Sequence, residues 1–199
     1  MADISQEQDF KQKIAELEKE NENLSKRNSD LEKLTSQIMW AFVTAVEKKD
    51  FYTGGHSMRV AEYSGKIAKK LGKTKEEMYE IYCAALLHDV GKIGVPDNVI
   101  NCPTKLTDEQ FEYIKNHPGI GEDVLATIRL IPYISLGARH HHERYDGTGY
   151  PDKLKGEEIP EIARIISVAD AYDAMTSTRS YRKVMPQEKV REEIFRCKG

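Results

Sequence analysis

The chain has 199 residues, 32% charged and 39% hydrophobic, with a mean hydropathy of −0.62 and a net charge of −3, which suits one ordinary domain with an appendage. That balance excludes a polyanion binder working by bulk charge, so any handling of phosphates must rest on local charge or metal ions. No run of about 18 apolar residues offers a membrane span, and the start, MADISQEQDFKQK, lacks the basic and apolar regions of a secretion signal.

In chain order, the first element is a long helix with a coiled-coil pattern from Phe10 to about Ile38. With Ile14 at a, the a positions are Ile14, Asn21, Asn28 and Thr35, and the d positions are Phe10, Leu17, Leu24, Leu31 and Ile38. A leucine-rich d seam with asparagine at a favours a parallel homodimer, because buried amides pair best across two strands in register. Lys13 facing Glu18, and Arg27 facing Glu32, agree with that pairing. A lone solvated helix joined to an upstream sensor or receiver region remains the alternative. The heptad fades at Gln37, so a boundary is expected near residue 40, with a coiled-coil segment at 1–40 and a globular domain at 41–199.

Helix then follows helix. Residues 56–71 form one, closed by Gly72. The pairs Thr74 with Glu77 and Thr107 with Gln110 read as capping boxes that open two more. Pro118 suits the first turn of another. After a Gly- and Pro-rich loop at 146–160, EIARIISVADAYDAM predicts a buried helix, and a last helix covers about 186–197. No segment alternates with period two, so the fold class is all-α. Cys83, Cys102 and Cys197 are odd in number and form no CxxC pair, which fits a reducing cytoplasm and neither a disulfide frame nor a thiolate zinc site.

Six histidines stand at positions 56, 88, 117, 140, 141 and 142. His88–Asp89 ends the apolar run AALLHD, and Asp170 lies inside ISVADAYDAM. A carboxylate in such surroundings is costly unless it is paired or binds a cation. Any one of these residues alone reads as a satisfied core side chain; Asp173, for instance, could simply pair with a nearby arginine. Taken together, His56, His88, Asp89, His117, His141, His142 and Asp170 are too many donors for one tetrahedral ion. They suit two octahedral ions sharing a bridging carboxylate and water.

The stretches YTGGHSMRVAEYSGKIAKKLG, AALLHDVGKIGVPD, IKNHPGIG, HHERYDGTGYP and VADAYDAMTSTRSYR resemble the HD-GYP family of HD-domain phosphohydrolases over roughly residues 40–195. The resemblance implies an HD-type helical bundle preceded by the coiled-coil helix, and a metal-dependent phosphodiesterase acting on cyclic di-GMP. The seven donors above match the family's metal ligands, with Asp89 bridging, and His140 matches none. Lys92 looks like the phosphate-contacting lysine, acting with Asp89 in catalysis. Asp50, Tyr150, Asp173, Arg179 and Arg182 match positions on the substrate side. Gly147 and Gly149 would let the loop carrying Tyr150 and Pro151 turn tightly.

Two departures stand out. Tyr52 sits where some members have a glutamate for a third metal, so two divalent ions are expected, with Fe or Mn favoured and Ni or Zn possible. The family also continues beyond the last helix, whereas this chain stops at RCKG. The implied reaction is attack on phosphorus by a water deprotonated between two metals, giving linear pGpG, GMP or both. Cyclic GMP-AMP as substrate and a non-catalytic signalling module responsive to cyclic dinucleotides are the alternatives.

Overall fold

The computed structural model describes residues 2–50, 54–177 and 184–197. Among these every regular element is helical, as the periodicity predicts. In order they are α1 (Ala2–Glu47), α2 (His56–Lys70), α3 (Lys75–Leu86), α4 (Asp97–Ile100), α5 (Asp108–Lys115), α6 (His117–Leu125), α7 (Ile134–His140), α8 (Glu161–Thr176) and α9 (Gln187–Arg196). Short 3₁₀ turns occupy Val90–Gly94 and Gly156–Glu158. No helix among the described residues is long and apolar enough to cross a membrane.

The chain divides into two compact units, residues 1–42 and 43–199. In the first, Phe10, Leu17, Leu24, Leu31 and Ile38 all lie exposed along α1. Every d position of the predicted seam is therefore open on this single chain.

The second unit is a bundle in which α2 packs on α3 and α8, and α7 packs on α3, α6 and α8. Its helices begin where local chemistry predicts. Thr74 Oγ1 accepts from Glu77 N while a Glu77 oxygen accepts from Thr74 N, and Thr107 and Gln110 form the same reciprocal pair. Gly72, at φ +75°, follows the end of α2 as expected. The interior of α2 is made of small residues, Ala61, Ser64 and Ala68, all fully buried. They let neighbouring helices approach closely, and Ile81 and Ile165 close that core against Ala68. The 126–133 break, the α7 start beyond it and the turns at 90–100 carried no separate expectation.

One glycine sets the distance between two parts of the site. A Cβ on Gly91 would stand 1.8 Å from the His117 carbonyl oxygen and 2.5 Å from Gly121 N. Only glycine lets the turn after Asp89 lie directly on the start of α6.

Candidate metal centre

The helix ends deliver the donors. His56 opens α2, His88 and Asp89 follow α3, His117 opens α6, His141 and His142 follow α7, and Asp170 comes from within α8. All seven predicted donors converge. Asp89, His117, His141 and His142 form one group and His56, His88 and Asp170 another, with donor atoms inside each group within 4.8 Å of one another. Asp89 lies between the groups. Its Oδ1 is 3.3 Å from His117 Nε2 and 3.8 Å from His141 Nε2, while Oδ2 is 3.4 Å from His88 Nε2 and 3.7 Å from His56 Nε2.

The ring orientations test whether cations fit here. Nδ1 of His88, His117 and His141 meets the carbonyl oxygen of Ala85, Ile114 and Ala138 at 2.7, 2.6 and 2.8 Å. A carbonyl only accepts, so each Nδ1 carries the proton and each Nε2 turns its lone pair inward. The Nε2 atoms of His117 and His141 thus face each other at 3.3 Å. Two lone pairs at that distance repel unless a cation lies between or beside them. The donor set fits divalent metal ions, as the sequence predicts.

His56 is held differently. Its Nδ1 lies 2.7 Å from Asp173 Oδ2, and its Nε2 lies 3.3 Å from Asp170 Oδ1. Asp173, almost fully buried, also takes Arg59 Nε at 2.6 Å, Arg59 Nη2 at 3.1 Å and the Ser177 hydroxyl at 2.8 Å. The expected placement of Asp173 against a nucleotide differs from this geometry. Its oxygens are occupied behind His56, and the arginine pairing considered from sequence is the one found.

The charges respond to these partners. Burial works against a charged His56, but hydrogen bonds with Asp170 and Asp173, and the charges of Asp170 and Asp89, raise its pKa to about 9. Burial also works against ionised Asp89, yet Lys92 and His88 hold it well below the usual carboxylate range. Asp170 is lowered in the same way by His56 and His88. For His141, burial and then the neighbouring His142, His88 and His117 push the pKa far down, and burial with His117 lowers His142 to about 4. Two anionic carboxylates beside His141 and His142, which resist protonation, leave a strong demand for non-proton cations.

Lys92 Nζ is 2.8 Å from Asp89 Oδ2 and 3.1 Å from Asp50 Oδ2, so Asp50 reaches the site through Lys92. Tyr150 stacks on His142, with ring centroids 4.8 Å apart and planes at 27°. Burial, then Asp89 and Asp170, raise its phenol pKa, so it keeps its proton. The loop doubles back tightly here: a Cβ on Gly149 would stand 2.4 Å from Arg144 N, and Tyr150 N donates to His142 O. Tyr52, Arg179 and Arg182, and with them the case for two rather than three metals and for paired phosphate arginines, lie outside the described residues.

Three supporting residues were missed from sequence. Glu47, at the end of α1, accepts from Gly55 N at 2.8 Å and Ser57 N at 2.9 Å, capping α2 around His56 where no side chain of α2's own N-cap does so. Arg59 clamps Asp173. Glu143 accepts from Asp152 N and Leu154 N, fastening the loop beyond Tyr150. Their only sequence signal is adjacency: Arg59 one turn after His56, Glu143 directly after His142.

A family model described as HD domain matches residues 14–192. The cyclic di-GMP phosphodiesterase response regulator RpfG of Xanthomonas campestris pv. campestris is 37% identical over 196 residues, 98% of this chain and 51% of its own length. A cyclic di-GMP phosphodiesterase of Thermotoga maritima is 44% identical over 156 residues, 77% of this chain and 42% of its own. The chain thus spans about half, or less, of these curated relatives. The structure of a cyclic GMP-AMP specific phosphodiesterase of Vibrio cholerae, V-cGAP3, superposes with a TM-score of 0.60 at 21% identity, covering 82% of this chain and 44% of that one. That likeness speaks for the fold.

Proposed function

The chain belongs to the HD domain family, in its HD-GYP branch, and from this membership we propose that it is a metal-dependent phosphodiesterase hydrolysing cyclic di-GMP. One observation carries the reading: histidines with proton-bearing Nδ1 atoms turn their Nε2 lone pairs onto the two oxygens of a single buried carboxylate, Asp89. We assign the seven donors to two divalent ions, Fe or Mn, with Asp89 shared between them.

Divalent cations held there supply Lewis acidity, bringing the pKa of water towards neutrality and offsetting phosphoryl charge. The protein's own groups do the rest. Asp89 and Asp170 stay ionised, while the carbonyls of Ala85, Ile114 and Ala138 keep the Nε2 atoms of His88, His117 and His141 inward-facing. Burial disfavours a charged Lys92, but Asp89 and Asp50 outweigh it and hold the ammonium protonated. It stands as a fixed positive group for a phosphoryl oxygen. Tyr150, protonated and stacked on His142, offers a hydroxyl and a flat ring at the rim for a ribose or base. Arg179 and Arg182 are proposed phosphate contacts.

The test is turnover of cyclic di-GMP and of cyclic GMP-AMP by protein purified anaerobically under reducing conditions, with bound metal measured in parallel. Hydrolysis of cyclic di-GMP to pGpG or GMP is expected, and its loss in H88A/D89A together with the metal. Intact cyclic di-GMP with a fully loaded centre would overturn the proposal, and cleavage of cyclic GMP-AMP alone would reassign the substrate.

We also propose that α1 forms a parallel homodimer through its exposed d seam. Sedimentation of the whole chain should give a dimer, and L24E/L31E a monomer; a monomeric parent chain excludes the coiled coil.

A further inference from the structure

Beside the seven donors, a histidine without an assigned role meets acidic side chains where α7 passes into the following loop. The His140 side chain is only 9% exposed, and its Nδ1 has no hydrogen-bond partner. That nitrogen lies 3.4 Å from Asp152 Oδ2 but is not aligned to donate to it. The carboxylate of Glu143, 2% exposed, completes a group in which one donor atom from each of the three residues lies within 4.8 Å of the others.

The remaining contacts favour a cation. Glu143 Oε1 and Oε2 accept from Asp152 N at 2.7 Å and Leu154 N at 3.1 Å, and each oxygen keeps a second lone pair. Asp152 is gripped by Arg139 through two bonds of 2.7 Å, and Arg139 Nη1 also meets Glu122 at 2.5 Å. Asp152 and Glu122 therefore share one guanidinium, while the Glu143 carboxylate is held by main-chain N–H groups, so the three carboxylates and Arg139 together leave two formal negative charges, the complement of one divalent ion. The 3.4 Å between His140 Nδ1 and Asp152 Oδ2 is also close to the edge of a tetrahedron around an ion with donor distances of roughly 2.1 Å. Asp152 is exposed, so an ion can enter from solvent.

We propose that His140, Glu143 and Asp152 form a further cation site, for zinc or a similar divalent ion, distinct from the seven-donor centre. One imidazole nitrogen and two carboxylates, with water as fourth ligand, are a zinc donor set. The ion's task is positional. It ties Asp152, two residues after Tyr150, to the end of α7, whose next residues are His141 and His142. The loop that lays Tyr150 on His142 is thereby fixed from its far side.

The experiment loads the whole protein with Zn²⁺ alone, removes excess by dialysis, and counts zinc per chain by mass spectrometry. H140Q and D152N are compared with the parent, with D170N and H140Q/D170N reporting on the seven-donor centre. H140Q and D152N should each carry one zinc fewer than the parent, and the H140Q loss should persist in full in the D170N background. Equal zinc in the parent and H140Q overturns the site, as does a loss that vanishes in the D170N background. Should H140Q fail to fold, D152N decides, and parental zinc content there overturns the site equally. Because the readout is metal content, it stands or falls independently of cyclic di-GMP hydrolysis.

Discussion

Two regions of the centre orient buried imidazoles by different means. At the ends of α3 and α7 and the start of α6, His88, His141 and His117 each bond to the carbonyl three residues earlier. Between α2 and α8, His56 is instead held by Asp173, 117 positions away, which Arg59 clamps in turn. A carbonyl fixes the tautomer and adds no formal charge, whereas a carboxylate fixes it and raises the ring's basicity. Two rings of similar burial show the contrast: burial and the neighbouring imidazoles keep His141 from protonating, while Asp170 and then Asp173 raise His56 to about 9. Orientation and proton affinity are separable, and this site uses both.

The most severe way to break the comparison is H141A. It deletes a donor on the carbonyl-held side that no nearby side chain replaces, so metal bound to the Asp89 group and turnover should fall to background. Retained turnover would remove His141 from the centre. A milder change, D173N, leaves every donor in place and removes only the charge behind His56. Loss of such a partner weakens metal affinity by about 10–100-fold. Chelator competition should show that loss, with a smaller one for R59Q, in which Asp173 keeps its bonds to His56 and Ser177. Unchanged affinity in D173N would mean the carboxylate adds nothing beyond what a carbonyl gives.

The pH dependence of the chelated protein sharpens the same contrast. The raised pKa of His56 makes its stabilising contribution complete below the ordinary value of 6.5 and lost as pH rises through about 9. Asp170 and Asp173 are lowered from 3.8, so theirs is complete above that value and lost as pH falls below it. Denaturant stability should therefore be greatest between pH 3.8 and 6.5 as far as this cluster contributes, and its alkaline decline should flatten in D173N. The smallest expected effect is that of E47Q, which weakens the cap on α2 and should cost about 1 kcal/mol in a thermal melt. A loss of several times that size would give Glu47 a larger role in holding the His56 region.

Much of this was legible in the chain. The capping boxes at Thr74 and Thr107 depend on residues three apart, and they form as written. Among the seven donors, His88, Asp89 and Asp170 carry their own signal, because such groups in apolar runs require an explanation, and the other four, all histidines, draw meaning from the set. Glu47 carried none, and Arg59 and Glu143 only their adjacency to His56 and His142, since each acts on main chain or on a carboxylate brought near only by folding. Asp173 shows the same limit: its position near Asp170 suggested a nucleotide contact, but the α2–α8 packing turns it behind His56. His140 matched none of the expected metal ligands, and Glu143 and Asp152 carried no separate expectation.

The sequence by itself determined most of the helices, the apolar seam of α1 and the inventory of candidate metal donors. These rest on residue type and on spacings within a few turns. Tertiary structure alone decided which donors share a group, that Asp89 stands between the groups, and that among His56, His88, His117 and His141 a carboxylate meets the Nδ1 of His56 alone. Those outcomes depend on the approach of α2 to α8 and of Gly91 to α6 over long sequence separations. A few tenths of an ångström there decide whether a buried oxygen meets a proton, a guanidinium or a metal ion.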